Sequence, residues 1–242
     1  MQKPDIYPNS SALCTAAAEF WLTSYTQAIA AHGQFYVALS GGTTPKRLYE
    51  KLAAEPYRNK INWQDVHIFF GDERFVALDH PDSNFNMANT ALLSQVDIPR
   101  DNIYPVPVDT GSAEVAADLY AKTLKNTLPD SSTGIPQFDL VLLGLGPDGH
   151  TASLFPGTSA VEETEKFCSA VYVEKFDSWR VSITFPIINA ARDILLLTEG
   201  SGKHDIIEQL TNDNIADNQY PIQRVKQTNF HWFADQAAMQ GN

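Results

Sequence analysis

The feature that most constrains this chain is the alternation of short, nearly unbroken apolar runs with longer stretches of helical spacing. Phe35-Tyr36-Val37-Ala38-Leu39, Val66-His67-Ile68-Phe69-Phe70, Phe138-Asp139-Leu140-Val141-Leu142-Leu143 and Asp193-Ile194-Leu195-Leu196-Leu197-Thr198 read as strands covered on both faces. Arg180-Val181-Ser182-Ile183-Thr184-Phe185 reads as one more. Between them, Leu13, Ala17, Phe20, Trp21, Ser24 and Ala28 recur at helical intervals from Ser11, with Gly33 as the stop. Thr44-Pro45 reads as an N-cap followed by proline at the first helical position, with Leu48 and Leu52 on one face. Further helices are expected over 84–93, over 112–128 and after Lys203. Strands and helices in this order imply a mostly parallel, doubly wound sheet with helices on both faces. No repeat or linker divides the chain. The most loop-like stretch, 129–136, is short enough to join a helix to a strand, so 1–242 is expected to be one domain.

Sheets of this kind bind ligands beyond the carboxyl ends of their strands, so the loops leaving each strand carry the functional information. Composition restricts what they can bind. Seventeen Lys and Arg against 29 Asp and Glu give a net charge of −12, which repels phosphate backbones and anionic lipid. Neither a nucleic acid nor a membrane is therefore expected as a partner, and an anionic small substrate needs a local cationic pocket. Cys14 and Cys168 offer neither a disulfide framework nor metal-ligand spacing. No apolar run approaches the ~18 residues of a membrane span, and Met1-Gln2-Lys3-Pro4-Asp5 lacks the pattern of a signal peptide. A cytoplasmic location is expected.

Four loops stand out. Ser40-Gly41-Gly42-Thr43-Thr44-Pro45-Lys46 combines glycines, hydroxyls and a helix start, which suits either a phosphate cradle or an ordinary capped turn. Gly71-Asp72-Glu73-Arg74 is either a solvated turn or a guanidinium fork oriented by Asp72 or Glu73. Gly144-Leu145-Gly146-Pro147-Asp148-Gly149-His150 puts an acid and a histidine on a flexible turn directly after an apolar strand, where imidazole can work as a base near neutral pH. Gly200-Ser201-Gly202-Lys203 leaves another strand, and Lys203 is a second phosphate candidate or a solvated lysine. His32, His67, His80 and His231 read as structural, and His204 as a surface residue. No His, Cys, Asp and Glu cluster has metal spacing, so no metal is expected.

Together these segments, with 151–157, Asn189-Ala190-Ala191-Arg192 and the strand from Arg180, resemble the 6-phosphogluconolactonase family, in the family's order from about Phe35 to Leu210. The resemblance departs at Thr43, where serine is usual, and at 175–179, which lacks the prolines often found before the arginine. It implies a three-layer α/β/α fold and hydrolysis of 6-phospho-D-glucono-1,5-lactone to 6-phosphogluconate, in the oxidative pentose phosphate pathway, without a cofactor. The substrate partner would be the phosphorylated lactone, with the chain acting as a monomer. His150 is the candidate base, held by Asp148 or Asp72. Arg74, Arg180 and Lys203, with Gly41, Gly42, Thr43 and Thr44, are the candidate phosphate and oxyanion contacts. Two alternatives are a glucosamine-6-phosphate deaminase, whose related turn continues differently after the histidine, and a sugar-phosphate sensor without catalysis.

Overall fold

Strands made almost wholly of Val, Leu, Ile, Phe and Ala bury both faces only if helices cover them on each side, and that is the arrangement found. The computed structural model describes residues 1–212 and 215–240; positions 213, 214, 241 and 242 of the expected domain lie outside the described residues. In chain order, β1 (Asp5–Tyr7) leads into α1 (Ser10–His32), β2 (Phe35–Leu39), α2 (Thr43–Leu52) and the short α3 (Tyr57–Lys60). Next come β3 (Val66–Phe70), β4 (Asp72–Arg74), α4 (Asn84–Ala91), α5 (Ala113–Thr127) and β5 (Leu140–Gly144). The chain continues through β6 (Cys168–Val173), β7 (Ser178–Ile183), α6 (Phe185–Ile188) and β8 (Asp193–Thr198). It closes with α7 (His204–Thr211), β9 (Phe230–Asp235) and α8 (Gln236–Gln240).

Six strands form one sheet in the order β1-β9-β8-β5-β2-β3, and every pairing in it is parallel. All six carboxyl ends therefore lie along one edge. From β2 the chain moves outward to β3, and from β5 it moves the opposite way to β8, so the direction of winding reverses between β2 and β5. The loops after these two strands diverge there and open a crevice. Trp21, Phe35, Phe69 and Phe138 are fully buried in a continuous core between the layers, each contributing about 1.5–3 kcal/mol by leaving water. Asn9 caps α1 by accepting from the Ala12 amide, and Gly33, at φ 78°, ends it in the left-handed region.

The structure corrects the sequence expectations at several places. The segment from Arg180 is not part of the parallel sheet; β7 pairs antiparallel with β4 and β6 in a separate three-stranded sheet. Asp72–Arg74 is accordingly a strand rather than a solvated turn. Helix α2 starts two residues earlier than Thr44-Pro45 suggests: Gly42, at φ 104°, makes the bend, and Pro45 sits within the first turn, where a missing N–H costs nothing. The strand expected over 138–143 begins at Leu140; just before it the Asp139 amide donates to the Tyr36 carbonyl and its carbonyl accepts from the Asp193 amide, while its carboxylate accepts from the Tyr36 amide and pairs with His32 and Arg192. His204 is half-buried at the start of α7.

Candidate active site

The crevice between the β2 and β5 loops is a cleft of about 380 Å³. Gly41, Gly42, Thr43, Thr44, Asp72, Arg74, His150, Arg180 and Lys203 all line it, so the structure brings together nearly every residue singled out from the sequence. Asp148 stands immediately behind His150, on the wall of a larger neighbouring hollow of about 740 Å³ that contains neither His150 nor the two arginines. His32 and His67 face other partners, Asp139 and Gln34, away from the cleft.

The first wall is the loop after β2. The buried Tyr49 hydroxyl accepts from the Ser40 amide and donates to the Ser40 carbonyl, which fixes the exit of the strand. Gly42 caps α2 without a side chain, so the amides of the first turn keep free hydrogen-bonding capacity facing the cleft. At Gly41 a Cβ would overlap the side chain of Asn84, so only glycine allows the loop to lie against α4.

β4 supplies the second wall. Asp72 accepts from Ser153 Oγ at 2.6 Å and from Asn84 Nδ2 at 3.2 Å, which makes it a brace between loops rather than the partner of His150. Glu73 is completely buried and accepts from the amides of Arg74, Asn84 and Phe85 and from Ser83 Oγ, all at 2.8–3.0 Å. It therefore ties β4 to the start of α4; burial raises its pKa, while these hydrogen bonds work against the rise. Neither acid orients Arg74, whose guanidinium donates instead to the Asp82 carbonyl at 2.5 Å.

The pairing of β4 with β7 sets Arg74 directly opposite Arg180. Like charges at opposed positions on adjacent strands repel each other. Both arginines also have a buried Nε without a hydrogen-bond partner. Burial, with the Arg74 charge adding to it, lowers the Arg180 pKa. Such a pair is built for an anion with several oxygens, which would relieve the repulsion and satisfy both guanidinium edges. Lys203 adds a third cation: its ammonium donates to the Leu145 carbonyl at 2.7 Å, which also holds the β5 loop, and burial lowers its pKa.

The catalytic candidates sit on that loop. Asp148 Oδ1 lies 2.5 Å from His150 Nδ1. Although partial burial works the other way, hydrogen bonds from Lys175 and His150 hold the Asp148 carboxyl down at about 2, so it is ionised at neutral pH. A carboxylate only accepts, so Nδ1 carries the proton and Nε2 keeps the lone pair. Burial is the main influence on His150 and pushes its pKa down, opposed by Asp148. The imidazole stacks on Phe155, with ring centroids 3.9 Å apart, and a Cβ at Gly146 would overlap it. Gly149, at φ 73°, gives the turn its left-handed residue. The arrangement thus offers one oriented base beside three cations.

Sequence reasoning missed Asn84, Ser153, Phe155, Lys175 and Glu199. Phe155 was visible within the 151–157 segment, but its stacking was not. Glu199 lines the cleft and pairs with Arg47, and nothing in its local sequence marks it. Among the described residues, no group of three or more His, Cys, Asp or Glu could hold a metal ion. Nor is any described helix long and apolar enough to cross a membrane.

Comparison with known proteins agrees with this geometry. The family described as glucosamine-6-phosphate isomerases/6-phosphogluconolactonase matches residues 8–233. A 6-phosphogluconolactonase from Synechocystis is 40% identical over 235 residues, covering 97% of this chain and 95% of the relative. The solved 6-phosphogluconolactonase of Trypanosoma brucei superposes with a TM-score of 0.86 at 31% identity, over 98% of each chain. A monomeric glucosamine-6-phosphate deaminase superposes at 0.83 with 18% identity, a likeness of fold alone. The chain belongs to the family of glucosamine-6-phosphate isomerases and 6-phosphogluconolactonases.

Proposed function

We infer that this chain hydrolyses 6-phospho-D-glucono-1,5-lactone to 6-phospho-D-gluconate, the lactonase step of the pentose phosphate pathway. The observation that carries the site assignment is the opposed Arg74–Arg180 pair beside an oriented His150–Asp148 dyad. The pair suits a dianionic phosphate, and the dyad suits the activation of water. In this mechanism Arg74, Arg180 and Lys203, with the first amides of α2, hold the phosphate. His150 Nε2 takes a proton from water as the oxygen attacks the lactone carbonyl carbon. The carbon–oxygen bond to the ring oxygen then breaks, and the imidazolium returns its proton to that oxygen. The products are a carboxylic acid, which ionises in water, and a free hydroxyl. The ion pair with Asp148 stabilises the imidazolium between the two steps.

We take the enzyme to act as a monomer. The two free, buried cysteines fit a reducing compartment and so a cytoplasmic location. Two assays on one preparation test the reading. One follows freshly prepared phosphorylated lactone with coupled 6-phosphogluconate dehydrogenase. The other measures ammonia released from glucosamine 6-phosphate. Hydrolysis without ammonia is expected; ammonia without hydrolysis, or tight 6-phosphogluconate binding without turnover, would overturn it.

A further inference from the structure

We propose that Lys175 is a positioning residue for the hydrolysis: from the tip of the β6–β7 hairpin it clamps the Asp148 carboxylate so that the carboxylate's other oxygen faces His150. The inference rests on the assignment of His150 as the base. Each oxygen of Asp148 has a separate task, because Oδ1 meets His150 Nδ1 and Oδ2 meets Lys175 Nζ, both at 2.5 Å. Asp148 lies on an exposed turn, and its carboxylate side chain is about a third exposed. Its own loop provides only the His150 amide, at 3.4 Å, as a further donor. A carboxylate with one loose oxygen rotates and exchanges its acceptor with water; a cation on that oxygen stops the rotation.

The ammonium is itself held in place. It lies 4.7 Å from the Phe155 ring centroid and 5.1 Å from that of Phe176. Phe155 is the ring on which His150 stacks. The same hairpin turn, closed by Asp177 at φ 46°, leads directly into the strand that carries Arg180. One hairpin therefore supplies a phosphate contact and, at its tip, the clamp on the dyad.

The clamp also has an electrostatic consequence. Asp148 and Lys175 together form a neutral pair beside the imidazole, so the carboxylate can orient the ring while the ammonium offsets its tendency to protonate it. The other charged group acting on His150 is Asp72 from β4, which favours the protonated ring; Arg74, Arg180, Lys203 and Glu199 line the same cleft.

The test uses Lys175→Met and Lys175→Arg in the full chain, with circular dichroism to establish folding. Lys175→Met should lower kcat by about tenfold through looser placement of the base. KM for the phosphorylated lactone should stay within about twofold, because the phosphate contacts remain. The acid limb of kcat/KM should move to higher pH, since the cation opposing the imidazolium is gone, and an NMR titration of His150 should move the same way. Lys175→Arg should keep the acid limb of the parent and recover most of kcat. In an Asp148→Asn background, Lys175→Met should cause no further loss. Parental kcat and an unshifted acid limb in Lys175→Met would overturn the proposal, provided that His150→Ala has lost activity. An active His150→Ala would instead remove the assignment of the base on which the proposal rests.

Discussion

Glu73 offers the sharpest energetic test of how this site is built. Its carboxylate is completely buried and accepts from three backbone amides and one hydroxyl, all within 3.0 Å. In Glu73→Ala the Ser83 hydroxyl can turn to another acceptor, but the amides of Arg74, Asn84 and Phe85 cannot. Each buried donor left unpaired costs about 1–3 kcal/mol, and water entering the space relieves part of this, so a total near 3 kcal/mol is expected. For a chain of this size that corresponds to a fall in Tm of about 6–12 °C. Glu73→Gln separates hydrogen bonding from volume. The amide oxygen can keep the two amides bound by Oε1, while its NH₂ then faces Ser83, which can accept, and the Phe85 amide, which cannot. One donor facing a donor predicts a loss of about 1–2 kcal/mol. Urea unfolding with matched m-values measures both variants, and KM for the phosphorylated lactone should rise in each, because the Arg74 backbone amide is one of the donors this carboxylate holds. A Glu73→Ala protein within about 1 kcal/mol of the parent would refute the reasoning. So would a neutral Glu73→Gln beside a costly Glu73→Ala, because filling the space would then be what matters.

His150→Ala should stay folded and lose about 10²–10⁴-fold in kcat above the spontaneous rate, with a smaller change in KM. In the parent enzyme burial lowers the His150 pKa, so the acid limb of kcat/KM should fall below the reference value of ~6.5, as protonation removes the base; a pH–rate profile checks this. Neutralising Arg74, Arg180 or Lys203 should raise KM for the phosphorylated lactone much more than for glucono-1,5-lactone, and equal effects on both would mean that these residues only shape the fold. Gly149→Ala forces a left-handed side chain whose Cβ meets the Tyr220 ring at 2.6 Å, so it should cost about 1–3 kcal/mol in urea unfolding and reduce kcat by moving the turn that carries His150. Activity should survive treatment with EDTA, since no described cluster could hold a metal.

What could be read in the sequence followed from local chemistry. Buried parallel strands announce themselves as apolar runs, and a histidine on a glycine-rich turn after such a strand has few structural reasons to be there. That logic located β2, β3, β8 and most of β5, and it singled out many of the residues that line the cleft, though not Asn84 or Glu199. It failed where the information is held in pairings between distant segments. Asp72–Arg74 is too short and too charged to read as a strand, and only its pairing with β7 makes it one. The choice between Asp148 and Asp72 could not be made either. In the sequence both read as acids following a strand, and what separates them is that Ser153 and Asn84 occupy Asp72 while Lys175 occupies the far oxygen of Asp148.

On the proposed reading, the small antiparallel sheet is the part of the molecule that would give this fold a phosphate site against its own net charge of −12. A parallel sheet delivers loops to one edge but leaves their spacing loose. An antiparallel pair fixes its opposed residues at a set distance. Placing Arg74 and Arg180 at one such position concentrates positive charge where it would otherwise disperse. The repulsion must be held by structure elsewhere, and Glu73 is the group suited to hold it, through its grip on β4 and α4. Loss of that grip should therefore be felt first as weaker phosphate recognition and only at higher temperature as unfolding.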